Sequence, residues 1–151
     1  MADVSAIGIT AYIKFSNTFP EGFPITSWAD DTDPFDQPTL DIATATMNVN
    51  GELVTTSTPT PLAPTIALIP GSEDDLNMQV ALEANRPARG KRLARDIVTL
   101  TVTYPDGSTA TYTDGVMTGG MPIKSVASAG RIKSSTYTFA FENKSSTNAT
   151  N

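Results

Sequence analysis

The sequence predicts a mainly β protein, an antiparallel β-sandwich or partly closed barrel with one flanking α-helix. Several stretches alternate apolar and polar residues with a period of two, which is the repeat of a half-buried strand. Threonine and serine supply much of the polar surface, and the β-branched threonine favours extended backbone. One segment, residues 72–86, breaks this rhythm and carries the features of a helix.

The first predicted strands lie in the first half of the chain. Residues 9–15 alternate apolar side chains on one face with Thr, Tyr and Lys on the other. Residues 23–28 are a short second candidate, and residues 64–70 are a compact apolar strand bounded by prolines. Short strands of this kind predict a mostly antiparallel domain.

Two hairpins are predicted from their turns. Asn50-Gly51 separates two alternating stretches, and this dipeptide favours a type I′ turn because both central residues need positive φ. Residues 96–115 form the second hairpin, with a Pro-Asp-Gly turn at its centre. Residues 134–142 repeat the alternation with three aromatic residues on one face.

The predicted helix spans residues 72–86. Ser72 is a favourable N-cap, and the acidic residues after it fill the first turn, where the helix dipole favours negative charge. Pro87 and Gly90 end the segment. Its apolar residues form two stripes, which predicts a helix covered on more than one side. The stripes are Leu76, Val80 and Ala84, and Met78, Ala81 and Leu82.

The chain of 151 residues is long enough for one domain with a sizeable core. We expect a single β domain over residues 1–142. Residues 143–151 are polar and low in complexity, which predicts a mobile C-terminal tail.

The composition narrows the possible chemistry. Without any cysteine or histidine, the chain lacks thiolate metal ligands and the commonest general base. An enzyme would therefore have to use carboxylates, lysine or tyrosine alone; no enzyme, metal site or cofactor is expected. The net charge of −6 argues against a protein that grips nucleic acid by neutralising phosphates. No long apolar run and no signal-peptide pattern is seen, so no membrane anchor is expected.

Five aspartates crowd residues 28–41, which we call the acidic segment. A calcium loop, the carboxylate pair of a glycosidase and a solvated surface loop are the alternatives. The calcium pattern fits poorly, since counting from Asp31 places Asp36 where the loop needs glycine. A glycosidase needs two carboxylates close in space, but nothing else in the chain indicates a sugar site. The aspartates are Asp30, Asp31, Asp33, Asp36 and Asp41.

Residues 86–95, which we call the basic loop, hold half of the ten positive charges. The sequence allows two interpretations of this loop, a phosphate-binding patch or a loop whose charges are solvated. The loop also complements the acidic segment in charge, so identical copies could pair head to tail in rings or filaments. The expected contact residues of the loop are Arg86, Arg89, Lys91, Arg92 and Arg95.

The second hairpin carries a face of neutral hydroxyls opposite its apolar face. Such a face is ordinarily the solvent side of a half-buried strand. It would also suit the lining of a channel that conducts a polyanion, because hydroxyl groups do not bind phosphate as cationic side chains do. The residues expected to line that channel are Thr99, Thr101, Thr103, Thr111 and Thr113.

Three stretches resemble the tail tube proteins of contractile-tailed, myovirus-type bacteriophages. They are SWADDTDPFDQPTLDIATATMNVNGELV, LIPGSEDDLNMQVALEANR and the Thr-rich hairpin that follows. The resemblance covers residues 23–141. It implies a β-sandwich-like subunit with a flanking helix, similar to the tube subunits of type VI secretion and pyocin particles.

The resemblance also implies a role. In that family, hexameric rings stack into a hollow tube inside a contractile sheath, and the tube conducts DNA during ejection. The partners would be further copies of the chain, the sheath protein, the tape-measure protein in the lumen and DNA that passes without specific binding. The protein would belong to the virion tail and be assembled in the host cytoplasm.

The resemblance assigns places to the segments. The acidic segment would lie at contacts between subunits or rings, and the helix at a subunit boundary outside the barrel. The strands around residues 47–56 and 97–113 would form the barrel. Other roles stay open: a tail terminator or baseplate hub of similar fold, a non-catalytic adhesin or carbohydrate-binding β-domain, and an enzyme that uses carboxylates alone.

Overall fold

The computed structural model describes residues 7–147, which form nine strands and one helix. The architecture is mainly antiparallel β with one short helix, which confirms the predicted fold class. In chain order the elements are β1 (Thr10–Phe15), β2 (Phe19–Ile25), β3 (Phe35–Asp36), β4 (Ala43–Met47), β5 (Leu53–Ser57), β6 (Thr65–Leu68), α1 (Glu73–Asn85), β7 (Val98–Thr103), β8 (Thr109–Gly120) and β9 (Ser135–Thr147).

Seven strands form one sheet in the order β2-β1-β7-β8-β9-β6-β3, and this sheet is not closed. The chain after β2 nevertheless reaches β6. The Ala29 N–H donates to the Ala67 carbonyl at 3.0 Å, and the Ile69 N–H donates to the Ser27 carbonyl at 3.0 Å. The sheet therefore curls around one core without full strand pairing at the seam. β4 and β5 pair only with each other, as a separate two-stranded sheet.

The core consists of the apolar strand faces that the alternation predicts. Ile13, Leu100 and Phe139 are fully buried on β1, β7 and β9, while their sequence neighbours point outward. Aromatic rings pack across strands, and the Tyr112 and Phe141 centroids lie 5.1 Å apart. The predicted faces of residues 9–15, 96–103 and 134–142 are therefore confirmed.

Gly115 of β8 allows the closest packing against the core. A Cβ at this position would lie 2.1 Å from Cδ1 of Phe141. Real side chains never approach so closely, so any larger residue would push the Phe141 ring out of place.

The helix is confirmed, but only one of its stripes is buried. Ser72 accepts the Asp75 N–H at 3.3 Å as the predicted N-cap. Met78 and Ala81 are fully buried, whereas Leu76 and Val80 are each 54% exposed. The expectation of cover on two sides is wrong for the single protomer, because α1 packs against β2 and β8 with one face only.

Buried carboxylates fasten the helix N-terminus to the sheet. Asp74 accepts the N–H groups of Thr26 and Ser27 at 2.8 and 3.0 Å. The Tyr137 hydroxyl donates to Asp75 at 2.6 Å. Burial and this hydrogen bond raise the pKa of Tyr137, so the phenol stays protonated. Both carboxylates thus have hydrogen-bond partners, as burial without one is costly.

Two strand boundaries differ from the predictions. The second strand lies further upstream than residues 23–28, because Phe19 and Phe23 pack on each other at 5.1 Å between ring centroids. β9 runs on to Thr147 and pairs with β8, so residues 143–147 are strand and not part of a mobile tail. Backbone pairing holds these polar residues although they bury no side chain. The rest of the predicted tail, residues 148–151, lies outside the described residues.

Candidate assembly surfaces

The first two aspartates of the acidic segment are bound within the protomer. The Arg131 guanidinium donates to Asp30 at 2.5 Å and lies 3.9 Å from Asp31, and Ser134 donates to Asp31. The hydrogen bond from Arg131 holds the pKa of Asp30 below its ordinary value. The sequence does not indicate this ion pair, because Arg131 lies about a hundred positions from Asp30 and no local pattern surrounds it.

The other three aspartates, Asp33, Asp36 and Asp41, are exposed. None of them forms an ion pair within residues 7–147. The segment is nonetheless ordered, since β3 pairs with β6 and the Tyr112 hydroxyl donates to Gln37 at 3.0 Å. Within the described chain, no three carboxylates gather into a metal-binding group.

The basic loop folds back onto the C-terminal end of α1. The Lys91 ammonium donates to the Glu83 carbonyl and to the Arg86 carbonyl, the latter at 2.9 Å. The Glu83 carboxylate accepts from Arg86 at 2.9 Å, and this hydrogen bond lowers the pKa of Glu83 to about 2. Lys91 thereby supplies the positive charge that the last helical turn lacks.

The remaining cations of the loop, Arg89, Arg92 and Arg95, are exposed. None of the three has an acidic partner among the described residues. Arg95 adopts φ 52°, a left-handed conformation uncommon for a non-glycine residue. The structure therefore separates the five predicted cations into two that brace the helix and three that face solvent.

Asp96 is the buried group that fixes the loop, and sequence reasoning did not single it out. Its carboxylate accepts the N–H groups of Asn17 and Thr18 at 2.7 and 2.9 Å, the Thr18 hydroxyl at 2.5 Å and the Asn85 amide at 2.8 Å. Burial raises the pKa of Asp96, but these hydrogen bonds lower it more, so the pKa lies below its ordinary value. One carboxylate thus joins the β1–β2 turn, the helix end and the basic loop.

This arrangement predicts a pH dependence of stability. A carboxyl whose pKa is lowered by folding stabilises the protein fully above its unfolded pKa of about 3.9, and that contribution is lost as pH falls through the folded value. Between pH 5 and pH 2.5, urea unfolding should show a larger loss of unfolding free energy for the wild type than for Asp96→Asn. Equal losses in the two proteins would contradict it.

The β4–β5 hairpin has no cover within the protomer. Every residue of both strands is exposed, and the opposed pair Met47 and Leu53 is 63% and 64% exposed. Val54 and the turn residue Val49 are exposed as well. A hairpin turn forms around Asn50-Gly51 as predicted, but the predicted type I′ geometry is wrong, because only Gly51 has positive φ, at 80°, and its N–H donates to the Asn48 carbonyl at 3.0 Å. Within the protomer this hairpin pairs with no strand of the seven-stranded sheet, and its place in a barrel stays a prediction.

The hydroxyl face exists across four strands. Thr10, Thr103, Thr109 and Thr147 form one row of opposed residues, and the Thr109 and Thr147 hydroxyls are 2.6 Å apart. A second row holds Tyr12, Thr101, Thr111 and Ser145. Thr99 lies opposite Lys14, and Thr113 opposite Asn143. All five predicted threonines are half-buried. The rows carry no carboxylate.

A groove of about 270 Å³ lies beside the helix C-terminus. Its wall is largely apolar, with Leu82, Pro87, Met117 and Pro122 among the lining residues. No carboxylate lines it. No helix within residues 7–147 has the length and apolar character needed to span a membrane.

Comparison with known proteins identifies a family. The sequence model of the family described as "Tail fiber protein gp32" matches residues 2–145, so the chain belongs to this family. No curated protein matches the chain. The family's description bears out the coarser part of what the resemblance implies, a protein of a phage-like tail.

Solved structures of contractile injection systems share the fold. A chain from the anti-feeding prophage baseplate has a TM-score of 0.59 at 11% identity, over 99% of this chain and 98% of that one. A chain from the cap that terminates the anti-feeding prophage tube has a TM-score of 0.55 at 10% identity, over 99% and 93%. A chain from the PVC sheath/tube terminator in the extended state has a TM-score of 0.54 at 10% identity, over 98% of this chain and 99% of that one. At such identities the likeness establishes the fold alone.

Proposed function

We propose that this chain is a structural subunit of a contractile tail whose copies form hexameric rings that stack into the inner tube. Its family and the fold it shares with baseplate, cap and terminator structures support the tail context. The protein performs no catalytic step and needs no cofactor. Its partners are further copies, the sheath protein and the tape-measure protein, in a tail assembled in the host cytoplasm.

The exposed hairpin carries this proposal. A two-stranded hairpin alone is marginally stable in water, and monomers rarely leave apolar residues gathered on a projecting element. Met47, Leu53 and Val54 are exposed on such an element. A neighbouring copy that covers the hairpin removes both problems. Self-association therefore explains why the hairpin exposes apolar side chains in the protomer.

An open strand edge supports the same reading. Asn143–Thr147 of β9 pairs with β8, while β6 pairs only with residues 135–138. The other edge of residues 143–147 is thus free in the described chain. Free edges invite a further strand, so the edge of another copy suits this position.

The mechanism we propose for conduction is physical. The hydroxyl face lines the lumen, where threonine hydroxyls hydrogen-bond water and do not bind phosphate as cations do, and Lys14, opposite Thr99, lies at one end of this face. Charge effects on the passing DNA are screened beyond about 8 Å at physiological salt. DNA therefore slides past a hydrated wall, while pairing between subunits keeps the tube rigid.

A tail terminator or baseplate role is the second candidate. It is favoured because the three solved structures above come from a baseplate, a tube cap and a sheath/tube terminator. Such a protein forms one closed ring and does not stack without end.

Negative-stain electron microscopy of the purified protein at rising concentration separates these roles. We expect open-ended tubes whose length grows with concentration. Single rings at every concentration would favour the terminator or baseplate role. A monomer at all concentrations, checked by analytical ultracentrifugation, would contradict both.

A further inference from the structure

We propose that the basic loop of one copy docks onto the acidic segment of the next copy, through Arg89 and Arg92 with Asp33 and Asp36. This inference rests on the proposed self-assembly and names its charge-pairing contact. These side chains are exposed and form no ion pair within residues 7–147. Two opposite charged surfaces thus remain unmatched on one small protein.

The chain enters the acidic segment beside the N-terminal end of α1 and enters the basic loop at its C-terminal end. Ser27, three residues before the first aspartate of the acidic segment, donates its N–H to Asp74 in the first turn of the helix. The basic loop is held at the other end, where the Ala94 N–H donates to the Ala84 carbonyl at 3.0 Å. A helix of 13 residues is about 20 Å long. Surfaces placed apart in this way match between copies in a head-to-tail, heterologous contact.

The basic loop is held ready for such a contact. The Asn17 amide donates to the Ala94 carbonyl at 2.7 Å, and the Asp96 N–H donates to Asn85 at 3.0 Å. Arg95 is kept in a left-handed conformation between these anchors. Its neighbour Asp96 accepts hydrogen bonds from neutral donors and forms no ion pair with an arginine of the loop within the described residues. A fixed loop loses little conformational entropy when it binds.

The balance of unpaired charges argues that each charged surface binds a second copy of this chain. Arg131 already binds Asp30 and Asp31, which leaves the outer aspartates of the same segment for another cation. Arg86 and Lys91 are likewise occupied by Glu83. What remains on each side is alike in number and opposite in sign.

A charge-swap experiment tests the pairing. One variant carries Arg89→Glu and Arg92→Glu, and the other carries Asp33→Lys and Asp36→Lys. Each alone brings like charges together, so its critical concentration for assembly should rise at least about tenfold. Mixed in equal amounts, the two variants should co-assemble near the wild-type concentration, because each supplies the charge that the other lacks. Light scattering and electron microscopy give the readout.

The control variant carries Lys124→Glu and Lys133→Glu, which changes the net charge as much as the arginine reversal does. It should assemble within about twofold of wild type, since surface charges away from a contact have small effects. Unimpaired assembly of either swapped variant would overturn the pairing, as would failure of the mixture to assemble. If the wild-type protein itself forms no oligomer, the proposed function fails together with the pairing. Retained wild-type assembly with insensitive variants overturns the pairing alone.

Salt gives a further prediction. Raising the ionic strength from about 0.1 to about 1 M shortens the Debye length from about 10 to about 3 Å. Attraction between charges at the surface weakens as a result. The critical concentration of the wild type should therefore rise over this range. The mixture of swapped variants should show a similar dependence, and a salt-independent wild type would contradict charge pairing.

Discussion

Leu53→Glu in the exposed hairpin is expected to abolish assembly while the protomer stays folded. Leu53 is 64% exposed in the protomer, so the substitution should change its unfolding free energy by no more than about 0.5 kcal/mol. In the assembly the same position is covered, and burying an unpaired carboxylate costs roughly 3 kcal/mol or more. The critical concentration should rise at least about a hundredfold, since each 1.4 kcal/mol corresponds to a factor of about ten. Sedimentation velocity and urea unfolding measure the two effects.

Thr56→Glu provides the matched control on the same strand. Thr56 lies on the opposite face of β5 from Leu53, because successive residues of a strand alternate. The two variants have the same charge and the same exposed setting in the protomer. Assembly should suffer more from the Leu53 change if the face of Met47 and Leu53 is the covered one. Normal assembly of Leu53→Glu would exclude the hairpin from the contact.

Asp96→Ala is expected to destabilise the protomer by about 3 kcal/mol. The substitution leaves two backbone N–H groups and one of the two Asn85 amide hydrogens without an acceptor, and each unsatisfied buried donor costs about 1–3 kcal/mol, less where it is only partly buried. This loss is a large share of a typical stability of about 5–15 kcal/mol. Urea unfolding at pH 7 measures it. The loosened basic loop should also impair assembly.

Asp106→Ala is the matched control for this experiment. Asp106 is exposed and accepts only the local N–H and hydroxyl of Ser108, at 2.9 and 2.6 Å. Its removal should cost less than about 1 kcal/mol, because water replaces the lost acceptor. A similar small cost for Asp96→Ala would mean that the carboxylate does not organise the three segments around it.

Much of the fold was predictable because its causes are local. Alternation on residues 9–15 predicted a buried face that the structure confirms at Ile13 and Phe15. The helix needed only its cap at Ser72, the acidic first turn and the following proline. These features act within one turn or one strand, so they can be read without knowing what lies next to them.

The candidate surfaces were predictable only in part. The clusters of charge were visible, but the sequence did not indicate that Arg131 binds Asp30 or that Lys91 braces the helix end. The buried Asp96 also left no pattern, because its partners come from distant turns. Contacts of this kind arise from chain segments brought together by the whole sheet.

The sequence alone determined the strand faces, the position of the hairpin turn around Asn50-Gly51, the helix and the presence of two opposite charge clusters. Only the tertiary structure decided which charges remain unmatched, that the hairpin stands apart from the main sheet and that Leu76 and Val80 are uncovered. The physical reason is one of range. Periodicity and turn chemistry act between near neighbours, whereas exposure and pairing depend on where the folded chain places residues far apart in sequence.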